Sequence, residues 1–113
     1  MDKSELKGLK HDFMHNRKYA LAKDQYSATD YDNFQSIAMA IRDRLIERWI
    51  LTQQKYHNEN RKRVYYLSLE FLLGRLLDNN ILSLGLDKEC KKTMGGLGLN
   101  LEDLCGQEID AGL

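Results

Sequence analysis

Residues 61–75, RKRVYYLSLEFLLGR, decide how this chain is read. A basic loop gives way to Val64, Tyr65, Tyr66, Leu67 and Leu69, a β-branched, aromatic and apolar run too dense for a half-exposed edge strand. The run predicts a buried strand with neighbours on both sides. Downstream, EFLLGRLLDNNILSLGLD has Leu72, Leu73, Leu76, Leu77 and Ile81 at helical spacing with an interruption at Gly74.

The remaining sequence offers no second convincing strand. A lone strand leaves its N–H and C=O groups unpaired, and burying such groups is too costly for a native fold. The expectation is that the partner strands come from another chain or from sequence outside these residues.

Working outward, the flanks read as helices. In SELKGLKHDFMHNRKYALAKD, Leu6, Leu9, Phe13, Tyr19 and Leu21 fall near helical spacing, Ser4 is placed to cap the start, and Gly8 weakens the middle. Thr29 followed by Asp32 forms a capping-box-like start, with Asp30 and Asp32 favoured in the first turn, so a second helix is predicted from about Asp30. Along it Phe34, Ile37, Ala38, Ile41, Leu45, Trp49, Thr52 and Tyr56 form one apolar stripe over roughly 27 residues and about 40 Å. The opposite face, with Arg42, Asp43, Arg44, Glu47 and Arg48, reads as a solvated surface of mixed sign. Two short helices are predicted near Asp87 and Asn100.

Composition sets outer bounds. The 113 residues contain 17 basic and 17 acidic side chains, so no net field draws the chain to nucleic acid or an anionic membrane. With 42% hydrophobic residues, 30% charged residues and no proline, a soluble helix-rich chain is expected. Length permits one modest domain. Cys90 and Cys105 follow no metal or redox spacing and are read as reduced thiols of a cytoplasmic protein, one disulfide remaining an alternative. The N-terminus lacks the apolar core of a secretion signal, and no run approaches the length of a membrane span.

The stretch KRVYYLSLEFLLGR closely resembles the signature near the N-terminus of the α-glucan phosphorylases, the glycogen, starch and maltodextrin enzymes. The resemblance extends back through YSATDYDNFQSIAMAIRDRLIERWILTQQKYH, where Thr29, Arg48, Trp49, Thr52, Gln53 and Gln54 fall in place, and forward through NNILSLGL, LGLNLEDL and EIDAGL. It implies an α/β parent with two Rossmann-like domains, phosphorolysis of terminal α-1,4-glucosidic bonds to glucose 1-phosphate with orthophosphate, a homodimer, and a pyridoxal phosphate held by a lysine in the C-terminal domain. In the family EIDAGL leads into a glycine-rich active-site loop, so the expectation is a truncated, inactive N-terminal portion. Residues 1–60 would be the helices of a subunit-interface and regulatory-type region, and residues 61–113 the start of the N-terminal Rossmann-like domain. This chain would then be mostly α-helical, with one strand of a sheet whose partners are missing.

The resemblance leaves the catalytic and cofactor-binding positions outside these residues. Glu70, at the C-terminal end of the predicted strand, is the candidate neighbour of the active site, because ligands gather at that end of open α/β sheets. Pairing with Arg75 or a helix start is its structural alternative. Tyr65 and Tyr66 are read as core rather than as hydroxyls offered to a sugar.

In effector-controlled animal members the N-terminal helices build a nucleotide site at the dimer interface, and Asp24, Gln53 and Gln54 match that region. Two departures weigh against nucleotide activation: Tyr26 replaces an asparagine, and His57 replaces an effector-stacking tyrosine. The phosphorylated serine arm is unmatched.

The remaining motifs read structurally. MGGLGLN, residues 94–100, lacks a preceding strand and is placed at a helix-to-helix connection rather than at a phosphate. His11 and His15 share a helix face without a third ligand, so no metal is expected. The 61–63 basic triplet lacks interleaved aromatics and is read as a solvated loop. An alternative to the enzyme fragment is a short interaction module, in which the Phe34 to Trp49 stripe pairs with a full-length subunit or with itself.

Overall fold

The computed structural model describes the backbone of residues 3–69 and 73–110, and side chains from Gly8 onward. The first helix, α1 (Lys3–His15), continues into a π-helical segment, Asn16–Ala20. Leu9, Phe13 and Arg17, at four-residue steps, form its buried face. Leu21 N donates to Asn16 O at 3.2 Å, and Lys23 N reaches back to Arg17 O at 3.0 Å. Ala22 stands in the left-handed region with φ 55°, which stops the helix as a glycine ordinarily would.

The second helix, α2 (Asp30–Glu59), begins where the sequence predicts. Asp32 N donates to Thr29 Oγ1 at 3.1 Å, and Thr29 N donates to Asp32 Oδ2 at 3.0 Å, completing a reciprocal capping box. It ends at Asn60, whose φ of 50° suits an asparagine at that position.

Three short helices follow: α3 (Leu77–Ser83), α4 (Asp87–Gly96) and α5 (Leu101–Cys105). Asn100 Oδ1 caps α5 by accepting from Glu102 N at 2.9 Å and Asp103 N at 3.3 Å. The start of α3 has no local cap. Its first amides are held instead by Glu108, whose two carboxylate oxygens accept from Leu76 N and Leu77 N at 2.9 Å each.

One core joins all five helices. Leu9 and Phe13 from α1 meet Ile37, Ala40 and Ile41 from α2, Leu77 and Ile81 from α3, Cys90 and Met94 from α4, and Leu101 and Leu104 from α5. Burying each large side chain there contributes about 1.5–3 kcal/mol. Only the first half of α2 takes part. Trp49 is 57% exposed, and Ile50 and Leu51 beyond it are also open to solvent.

The predicted strand does not form. Residues 61–69 are irregular, and no strand occurs among the described residues. Tyr65 and Tyr66, expected in a core, are 75% and 78% exposed, because no sheet forms among the described residues to bury them. The helical reading of EFLLGRLLDNNILSLGLD is shortened as well. Residues 73–76 are not helical, Gly74 takes φ 65°, and Leu77 and Ile81 alone of the expected set enter the core; Leu72 lies outside the described residues.

Three smaller expectations also change. α1 already includes Ser4, so this residue stands within the helix rather than capping it. Tyr19 is 68% exposed, because the buried face runs through Leu9, Phe13 and Arg17 at four-residue steps and Tyr19 falls off it. The charged face of α2 is only partly solvated: Arg44 folds onto α1 and bonds Asp12.

Candidate functional site

Of the residues singled out from the sequence, Asp24 has the most defined surroundings. Its Oδ1 accepts from Tyr26 N at 2.9 Å, Ser27 N at 2.7 Å and Ser27 Oγ at 2.8 Å. Donation from the Ser27 backbone, then from its hydroxyl and the Tyr26 amide, holds the Asp24 carboxyl below its ordinary range. Asp24 thus builds the turn between the π-helical segment and α2. Asp32 is lowered in the same way, chiefly by the Thr29 amide.

Gln53, Gln54 and His57 lie far from that turn. They share the distal half of α2 with Ile50 and Asn58, around one open concavity. From Asp30 to Gln53 the helix advances about 35 Å, so one chain does not bring Asp24 to this group. Glu70 lies outside the described residues.

The remaining candidates resolve as follows. His11 and His15 stack with ring centroids 6.1 Å apart, and His15 in turn meets Tyr19 at 4.9 Å. Among the described residues no three His, Cys, Asp or Glu side chains gather as a metal site would require. In the 61–63 triplet, Arg61 Nε donates to Glu59 Oε2 at 2.6 Å, and Arg63 lies 5.9 Å from the centre of the Tyr56 ring. MGGLGLN closes α4 and leads to the Asn100 cap of α5, as a helix-to-helix connection.

Cys90 and Cys105 are free thiols. Burial pushes the Cys90 thiol up to about 12, and burial raises Cys105 in the same direction, so neither is poised as a nucleophile. No helix of the described residues is long and apolar enough to cross a membrane.

Two residues with specific roles were not singled out from sequence. Arg17 is buried although charged. The signal was its four-residue step from Phe13, which continues the face of Leu9 and Phe13. Glu108 caps α3 from 31 residues away, and no local pattern announces such a contact.

No protein-family model matches the chain. Curated relatives do. Glycogen phosphorylase, brain form, of Homo sapiens is 46% identical over 101 residues, covering 89% of this chain. The liver form of Bos taurus is 47% identical over 105 residues, or 93% of this chain, and the muscle form of Ovis aries is 44% identical over the same share. In each case the match spans 12% of the relative's own length.

Proposed function

Because this chain belongs to the glycogen phosphorylase family and spans 12% of the length of its relatives, we propose that it is the N-terminal segment of an α-glucan phosphorylase. The whole enzyme would release glucose 1-phosphate from α-1,4-glucans by phosphorolysis with orthophosphate, as a cytoplasmic homodimer. The observation that carries the reading is identity of 44–47% sustained along about nine-tenths of the chain. Supporting it, the apolar surface left uncovered, from Trp49 to Leu51 and from Val64 to Leu69, is the surface a larger body would bury.

Within that enzyme, residues 1–60 supply interface helices and residues 61–113 open the first Rossmann-like domain. Asp24 and the Gln53, Gln54 and His57 group belong to the interface region, where a second subunit brings together what one chain sets at the two ends of about 35 Å of helix. On this reading the lysine that would hold pyridoxal phosphate lies outside these residues, and no catalytic step is assigned to them. That the Phe34 to Trp49 stripe serves as a free docking surface has no support, since Ile37 and Ile41 are already buried in the chain's own core.

The test is a chimera in which residues 1–113 replace the matching segment of bovine liver glycogen phosphorylase. Glucose 1-phosphate formation from glycogen and phosphate is expected in the chimera and absent from the 113-residue chain alone. An inert but folded chimera, or activity in the short chain, overturns the reading.

A further inference from the structure

Residues 64–69, VYYLSL, combine β-branched, aromatic and apolar side chains with no charge, no proline and no glycine, the composition of a segment that pairs with copies of itself. The fold leaves this run outside the core: Val64 is 86% and Leu67 90% exposed, and no strand occurs among the described residues. Its start is anchored, since Arg61 bonds Glu59 and Arg63 lies over the Tyr56 ring, both in the last turn of α2. The run therefore leaves the end of α2 as an exposed apolar stretch with strand propensity.

A strand completes its backbone hydrogen bonds by pairing with another strand. The rest of the sequence holds no second run of this kind. In a solution of the chain, the strand-forming partner is thus the same segment on another copy.

Charge sets the direction of pairing. A parallel, in-register pair would hold Arg61, Lys62 and Arg63 of two copies about 4.8 Å apart, like charge against like. An antiparallel pair carries the two basic triplets to opposite ends. Centred on Tyr66, it sets that residue against its own counterpart and Tyr65 against Leu67, and it keeps Tyr65, Leu67 and Leu69 of both copies on one apolar face. Two strands alone are marginal and leave both outer edges open, so further copies add to them.

We propose that residues 64–69 are a self-association segment, through which copies of the 113-residue chain join as an antiparallel intermolecular sheet while the helical core stays folded. The proposal concerns the chain by itself and does not depend on the enzymatic reading above.

The experiment follows the 113-residue chain over rising concentration by sedimentation velocity and by infrared absorption of the backbone amides. Association should set in with concentration and bring an antiparallel sheet band that the dilute chain lacks, the helical band staying unchanged. Leu67→Pro removes a ladder donor and should abolish both effects. Leu67→Lys, which puts a charge on the apolar face, should raise the concentration at which association begins about tenfold or more. Leu67 lies outside the core, so neither variant threatens the helices, and Leu51→Lys on the exposed end of α2 should leave association as it is. A chain that stays monomeric up to its solubility limit, association without the sheet band, persistence in Leu67→Pro, or loss in Leu51→Lys overturns the proposal.

Discussion

Arg44 Nη1 donates to Asp12 Oδ2 at 3.0 Å and to Ala40 O at 2.9 Å, tying α1 to the middle of α2 through one guanidinium. The side chains are 23% and 39% exposed, so solvent screens the pair and its contribution is about 0.5–1 kcal/mol. A double-mutant cycle of Asp12→Ala and Arg44→Met, followed by urea denaturation, should return a coupling of that size that shrinks in high salt. Strictly additive effects would show that the contact does not join the helices.

Glu108 holds α3 in place from the far end of the chain. Its carboxylate is a charged acceptor for two helix-start amides that nothing else caps. Glu108→Gln keeps the shape and removes the charge, and should cost about 1 kcal/mol. Hydrogen exchange at Leu76 and Leu77 should accelerate in the variant while the α2 amides near Ile37 change only in proportion to global stability. Unchanged exchange at both positions would refute the cap.

What was legible in the sequence follows from the range of the forces involved. The start of α2 was readable because a capping box acts within three residues, and the starts of α4 and α5 because acidic or asparagine signals sit at the helix end itself. Residues 64–69 were given the right propensity and the wrong outcome. Strand formation needs a partner that no local pattern supplies, so the apolar run lies open instead. Arg17 was missed because an arginine at an apolar helical spacing is ordinarily solvated, and Glu108 because its contacts span more than thirty residues. Of the candidate site, the Asp24 turn was visible as a turn, but its distance from Gln53 became evident only once α2 was seen as one continuous rod.

Ala22 offers a stabilising change. Its φ of 55° places a Cβ in the left-handed region, where a non-glycine residue pays roughly 1–2 kcal/mol. Ala22→Gly relieves that strain and gives back part of it as unfolded-chain entropy, for a net gain of about 0.5–1 kcal/mol. Thermal unfolding followed by circular dichroism should move up by several degrees, and Ala22→Val should move it down. A lower Tm for the glycine variant would mean that the turn is not held in this conformation.

The final prediction concerns alkaline pH. Burial raises the Cys90 thiol from 9.0 to about 12, so the neutral form is favoured in the folded chain. In the unfolded chain the thiol ionises near its ordinary value, and above that pH the unfolded state binds fewer protons than the folded one. Cys90 therefore contributes stability that is complete below pH 9.0 and is lost as pH rises toward about 12. Cys90→Ala should flatten the fall in urea midpoint between those limits, although the smaller side chain lowers stability at neutral pH by leaving a void beside Met94. The same burial should make Cys90 react with iodoacetamide more slowly than the less buried Cys105, and both far more slowly than in urea. Equal labelling of the two thiols in the folded chain would show that the α4 face opens readily to solvent.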